Sequence, residues 1–462
     1  MLQKQELEAL LSSCLDSQAD FAEIFEEEGS SESISMINGK IEDVDRLIRA
    51  GVGIRLYKGV QSVYGYSSET DVHSLQGLID DLRQALGEQE NNRSIELVEE
   101  HHENKHPIQI DPIEASLETK RDLMTRAYKA AKDVDPRIEK VQVSMLNVKQ
   151  HVQISNSNGR LVQDDRVRTR MMVEAFAVEN GNQRSGGDRP GASMGLEFYE
   201  KTTPESIGKE ASRNALVMLQ AVDCPSGKMP VVINNGFGGV IFHEACGHSL
   251  EATSVAKHQS VFTDRLGQQI ANACVTAIDD GTIPNAWGSQ NVDDEGNPQK
   301  RRVLIENGIL KSYMIDQLNG RRMQMESTSS SRRQSYKFEP TSRMTNTFIA
   351  PGDTPFEELF TGIEKGLYAK KMGGGSVNPV TGEFNFAVNE GYLIENGKIT
   401  VPVKGASLIG NGADILMNIV KVSDNLERSQ GMCGSSSGSI PTDVGQPAIL
   451  VSTITVGGTA NE

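Results

Sequence analysis

The chain is short of aromatic residues, of cysteine and of positive charge. Aromatics make up 5% of 462 residues, with one tryptophan, and apolar residues of all kinds make up 37%. That composition permits a globular core but not a greasy one. No run of 18 or more apolar residues occurs, which excludes an ordinary membrane-spanning helix. The first twenty residues space Leu2, Leu7, Leu10 and Leu11 as an amphipathic helix. They lack the basic start and unbroken apolar stretch of a secretory signal. The five cysteines, at 14, 224, 246, 274 and 433, are scattered and odd in number, which excludes a disulfide framework and points to free thiols in a reducing, cytoplasmic setting. Lys and Arg total 46 against 63 Asp and Glu, a net charge of −17. Such a chain repels nucleic acid and anionic membranes and suits a soluble enzyme. Its two arginine pairs, Arg321-Arg322 and Arg332-Arg333, could contact a phosphate or carboxylate, but read first as solvated or interface charge.

What is present reads as an α+β protein. This length predicts two or three domains, and we place them at 1–110, 111–225 and 226–462. In the first, Asn38-Gly39 centres a β-hairpin over 33–43, since Asn-Gly fits the turn that matches strand twist. A second hairpin spans 53–68, and a helix follows over 72–86. Residues 87–110 turn polar, and their cluster of His101, His102, His106 and neighbouring glutamates reads as a solvated linker without ordered structure. The second domain begins with a helix over 112–133. Alternating strands follow over 141–154, 161–170 and 171–179, an antiparallel meander with Asn-Gly turns at 158 and 180, and then a helix over 204–220. The third domain is a large antiparallel β-rich region carrying one functional helix. A short strand over 229–234 leads through the glycine loop 235–239 into that helix. The loop does not spell a dinucleotide fingerprint, because Ile241 stands where its third glycine belongs. Hairpins over 302–316 and 392–403 share the run Leu-Ile-Glu-Asn-Gly, which their turns account for.

The helix holds the most informative residues, His243-Glu-Ala-Cys-Gly-His248. Neutral imidazoles hold a zinc ion, and an adjacent carboxylate accepts a proton from water activated there. The spacing is one residue longer than the zincin pattern of two histidines four apart. At about 100° per residue, histidines five apart diverge by about 140° on a regular helix. They meet only if the helix is locally overwide. A single π-type turn does this, and Gly247 would ease it through backbone freedom. A catalytic zinc takes three protein donors. Candidates for the third are His258, Cys433 between glycines, and Cys246 on the same helix. Glu251, three residues after His248, is a candidate to orient that imidazole.

Several blocks in this region resemble the TldD family of metalloproteases, within the TldD/PmbA group. They are His243 to Glu251; Arg343-Met-Thr-Asn-Thr347 before Pro351-Gly352; Met372-Gly-Gly-Gly375; Gly391 to Gly397 with Pro402-Val-Lys-Gly405; and Met432-Cys433-Gly434 before Gly445-Gln-Pro447 and Val456-Gly-Gly458. The resemblance implies a zinc peptidase in which His243, His248 and Cys433 ligate the metal and Glu244 is the general base. It implies substrates that are small or unfolded peptides, as in leader-peptide removal or degradation of unstable proteins. It also implies a dimer, with a metal-free PmbA/TldE-like paralogue or with a second copy. Three other readings remain: a serine hydrolase, because 434–438 formally places Ser436 in a G-x-S-x-G pattern; a non-enzymatic regulatory or binding protein; and a structural-zinc subunit.

Overall fold

A computed structural model describes residues 1–90, 93–378 and 381–459. The N-terminal part begins with helix α1 (Lys4–Leu15), strands β1 (Phe21–Ile37), β2 (Lys40–Lys58) and β3 (Gln61–Ser67), and helix α2 (Val72–Leu86). Strand β4 (Val98–Glu100), helix α3 (Leu117–Lys132), strands β5 (Ile138–Asn156) and β6 (Arg160–Glu179), and helix α4 (Pro204–Leu219) follow. These strands make one sheet in the order β3-β2-β1-β5-β6-β4. Pairing of β1 with β5, from Glu23 opposite Asn156 to Ile37 opposite Gln142, carries that sheet across position 110. Helices α1 and α2 bury Leu7, Leu10, Leu75 and Ile79 against Ile24, Ile54 and Leu56. Helices α3 and α4 bury Met124, Ala127, Ile207 and Ala211 against Val143 and Val173.

Four of the five expected Asn-Gly turns take the hairpin geometry, while at Asn158-Gly159 only the glycine has a positive φ. Asn38, Asn180, Asn307 and Asn396 and the glycines after them all take positive φ, the type I′ geometry that suits a right-twisted hairpin. Other expectations need correction. The strands expected over 161–170 and 171–179 are one twenty-residue strand, β6. Helix α3 starts five residues later than expected, where Ser116 Oγ accepts from the Thr119 N–H and caps it. The polar stretch 87–110 is not structureless. Its β4 pairs in parallel with β6, Leu97 is buried, and His106 Nδ1 accepts from the Asn285 N–H at 3.0 Å. A short parallel edge strand has no hairpin turn to betray it. Arg332 and Arg333 are buried rather than solvated. Arg333 meets Glu23 at 2.6 Å, a partner 310 positions away. Arg321 and Arg322 are interface charges, bonding Asp20 and the carbonyls of Gly59 and Val60.

The C-terminal part contributes β7 (Gly227–Ile233), β8 (Ala277–Asp280), β9 (Arg301–Glu306), β10 (Asn346–Ile349), β11 (Lys365–Val377), β12 (Glu383–Glu395), β13 (Ala406–Asn411), helix α5 (Gly412–Asn418), β14 (Glu427–Ser435), β15 (Gly438–Gln446) and β16 (Ile449–Gly457). The pairings β11-β7-β16-β13-β12 return to β11, so these five strands close a small barrel. A second sheet runs β9-β8-β10-β15-β14. Most neighbours are antiparallel, but β7 with β11 and β10 with β15 are parallel. The segment between β7 and β8 packs Phe242, Ala245, Cys246 and Leu250 into the core shared by barrel residues Val231, Leu367 and Phe386 and sheet residues Ala277 and Ile349. Among the described residues no helix is long and apolar enough to cross a membrane.

Candidate metal centre

The helix that follows β7 changes pitch twice. Val240–Phe242 is α-helical, His243–Gly247 is a π turn, and His248–Leu250 is a 3-10 turn. The His248 N–H bonds the His243 carbonyl, the five-residue ring that defines the π turn. This widening brings the two imidazoles to one side, with ring centroids 5.1 Å apart and planes 84° apart.

Gly247 serves the turn differently from the expectation. Its φ of −56° and ψ of −50° are open to any residue. What it supplies is room, because a Cβ there would lie 2.4 Å from Met344 Sδ. On another side Gly412, at the start of α5, lies so close that its own Cβ would fall 2.1 Å from the Ala245 carbonyl oxygen. The π turn is therefore clamped between Met344 and the backbone of α5.

The third donor comes from β14. Cys433 Sγ lies 3.3 Å from His243 Nε2 and 3.2 Å from His248 Nε2. The three donor atoms lie within 4.8 Å of one another, and among the described residues no other group of three such side chains converges. Burial pushes the Cys433 thiol up, but positive charge on His243 and hydrogen bonds from both histidines outweigh it and bring the thiol down to about 3. Burial likewise opposes charge on His248, yet Glu251 and Cys433 hold that imidazole well above its usual range.

These residues fit a zinc ion. A thiolate and two imidazoles are a donor set zinc favours. Bond lengths of about 2.0–2.3 Å in a tetrahedron put N···S edges on the order of 3.5 Å, near the separations seen here. His243 Nε2 faces the cluster, while its buried Nδ1 has no hydrogen-bond partner.

Around the donors, Glu244 Oε2 is 3.6 Å from His248 Nε2, and its side chain is partly exposed. Glu251 Oε2 is 3.1 Å from His248 Nδ1. Arg343, fully buried, donates to the Cys433 carbonyl at 2.6 Å and through its other nitrogen to Ser437 Oγ and the Gly438 carbonyl. It thus holds the β14–β15 hairpin from behind. Sequence reasoning registered Arg343 only as part of a family block. The same block serves the site throughout: Met344 abuts Gly247, and Thr345 and Thr347 bond buried Asp279.

The other candidates lie apart. Cys246 is buried and directs Sγ to the Gly412 carbonyl at 3.4 Å, and burial pushes its thiol up. His258 is exposed, in a left-handed conformation, 3.9 Å from Asp264. Ser436 is exposed on the β14–β15 turn and is followed by a strand, where a nucleophile elbow requires a helix.

Comparison with known proteins points to a metallopeptidase family. Residues 226–458 match the PmbA/TldA metallopeptidase C-terminal domain, 110–219 the central domain, and 22–87 domain 1. The Metalloprotease TldD homolog of Haemophilus influenzae is 37% identical over 453 residues, 95% of this chain and 93% of its own. The Zinc metalloprotease TldD homolog of Saccharolobus solfataricus is 33% identical over 237 residues, 50% of this chain and 52% of its own. TldE from Thermococcus kodakarensis shares the fold with a TM-score of 0.77 at 19% identity, over 98% of this chain and all of that one. The match of all three domain types in order, with a full-length relative at this identity, shows that the chain belongs to the PmbA/TldD metallopeptidase family.

Proposed function

We propose that this protein is a zinc-dependent peptidase that hydrolyses small or unfolded peptides. The observation that carries the reading is the convergence of His243, His248 and Cys433 with Glu244 beside them. His243 and His248 hold the metal through Nε2 and Cys433 holds it through Sγ. Zinc, when bound, supplies a Lewis acid for the peptide carbonyl and for water. Glu244 takes the proton of the attacking water on its carboxylate and hands it to the departing amine. Glu251 accepts from His248 Nδ1 and so fixes the tautomer that leaves Nε2 free for the metal. Arg343 positions the Cys433 backbone. Support for zinc comes from the donor set and from the name of the Saccharolobus relative.

A closed structural zinc in a regulatory subunit would need a fourth protein donor, and three converge here among the described residues. The shared fold with TldE supports a dimer with a metal-free paralogue, or with a second copy. Five free cysteines support a reducing, cytoplasmic compartment.

The test is metal content by mass spectrometry on protein purified without a metal-affinity tag, beside Cys433→Ala. Peptide cleavage is followed with and without chelator and a candidate partner subunit. About one zinc per chain, lost in the variant, with cleavage that chelation abolishes and zinc restores, is the expected result. Full zinc in Cys433→Ala, or no zinc in either protein after zinc is supplied, overturns it.

A further inference from the structure

Met432, the residue before Cys433 on β14, lines a cavity separate from the metal cluster. This cavity, of about 350 Å³, opens between the N-terminal sheet and the β14–β15 hairpin, where Met432 and Ile440 line it. Its charged lining is lopsided. Arg49, Lys149, Arg166, Arg168, Arg332 and Arg333 face it, against one carboxylate, Glu27. Most of these cations have acidic partners: Arg166 meets Asp164 and Asp294, Arg333 meets Glu23, Lys149 meets Asp111, and Arg49 lies 3.6 Å from Glu27.

Arg168 and Arg332 have none. Arg168 donates only to the carbonyls of Trp287 and Ser289, and Arg332 only to those of Met344 and Pro441. Both are more than nine-tenths buried, and among the described residues neither forms an ion pair. Arg332 Nε and the nearby Gln290 Oε1 are buried without any hydrogen-bond partner. Burial and Arg166 pull Arg168 down to about 10, while burial and Arg168 pull Arg332 down to about 9. A guanidinium does not shed its proton in practice. Asp164 and Asp294 pull favourably on Arg168, and Asp294 on Arg332, but neither guanidinium hydrogen-bonds a carboxylate, which leaves both suited to an added anion. A planar guanidinium fork matches a carboxylate or another oxyanion. Trp287, Met432 and Ile440 add apolar surface beside it, which a bare inorganic ion would leave unused.

We propose that this cavity binds a carboxylate attached to an apolar group, held by Arg168 and Arg332, and that in the working enzyme the carboxylate belongs to a peptide. The identity of the ligand as a peptide rests on the peptidase reading, but the cavity's preference for a carboxylate does not. Two sources share this chemistry, the C-terminal carboxylate and an acidic side chain. Met432, which lines the cavity, directly precedes Cys433 on β14, whereas none of His243, Glu244, His248 and Cys433 lines it, so the carboxylate is held outside the metal cluster.

Trp287 is the only tryptophan and lines the cavity, so its emission reports occupancy without any need for catalysis. The titrants are N-acetyl-leucine, its amide, N-acetyl-glutamic acid α-amide and inorganic phosphate. The expected result is a saturable change with N-acetyl-leucine and at least tenfold weaker binding of its amide. Arg332→Gln is expected to erase that preference. Tighter binding of N-acetyl-leucine than of the α-amide assigns the pocket to a peptide C-terminus, and the reverse order assigns it to an acidic side chain. Equal response to acid and amide, no response to either, or phosphate binding as tightly as the acids, overturns the proposal. The comparison of acid with amide on the unaltered protein decides the matter even if Arg332→Gln fails to fold. Zinc content and peptide cleavage are measured on the same preparation. Cleavage without acid preference sinks the pocket alone, and acid preference without cleavage sinks the peptidase reading together with the assignment of the ligand to a peptide, leaving the carboxylate pocket standing.

Discussion

The Arg343 guanidinium donates to the Cys433 carbonyl at 2.6 Å, and so ties the strand carrying one candidate ligand to the segment that packs on the helix carrying the other two. Met344, the next residue, touches Gly247 inside the π turn. One short block of chain thus sets both halves of the cluster.

Glu244 lies beside the donors without being one of them. Glu244→Gln is expected to keep its zinc by mass spectrometry and to lose about 10²–10⁴-fold in peptide cleavage, the scale of a general-base contribution. Cleavage at the unaltered rate would remove Glu244 from the mechanism.

Glu251 meets His248 at Nδ1. Glu251→Gln is expected to weaken zinc binding by about 10–100-fold in a competition titration with a chromogenic chelator, the usual cost of losing such an outer partner. Unchanged affinity would make Glu251 a structural residue only.

The clamp on the π turn predicts contrasting effects of two alanines. Gly412→Ala drives a Cβ against the Ala245 carbonyl, whereas Gly434→Ala, beside Cys433, projects into open space. The first is expected to lose about 1–3 kcal/mol in denaturant unfolding and to bind zinc more weakly. The second is expected to change neither. Equal behaviour of the pair would show that the turn is not held by α5.

Asp443 predicts a pH dependence. Burial, against the pull of Arg428, pushes its carboxyl up from an ordinary value near 3.8 to about 6, and its Oδ1 has no partner. The folded state then holds a proton that the unfolded state releases. Stability from this group is full below about pH 4 and is lost as pH rises through about 6, by up to about 3 kcal/mol. Asp443→Asn is expected to flatten that fall in melts from pH 4 to 7. An unchanged slope in the variant would assign the dependence to other groups.

What could be read from the residues follows from how local each feature is. The Asn-Gly turns at 38, 180, 307 and 396 are two-residue signals, and each is where it was expected. The π turn is local too, because a five-residue histidine spacing leaves few other ways for both rings to meet. Cys433 is different. Nothing within its own glycine-flanked stretch of strand distinguishes it from an ordinary cysteine, and only resemblance to a family picked it out. The buried arginines were misread for the same reason. A doublet such as Arg332-Arg333 looks solvated until Glu23, from the far end of the chain, is known to reach it. The closed barrel was also out of reach, because periodicity announces strands and not their neighbours.

The separation between the donors has a consequence in time. Cys433 follows His243 by 190 positions. A ribosome adding 5–20 residues per second needs roughly 10–40 s to cross that gap. Through that interval the nascent chain displays both histidines and the glutamate without Cys433 to join them. The candidate metal cluster can close only after nearly all of the fold around it has been synthesised.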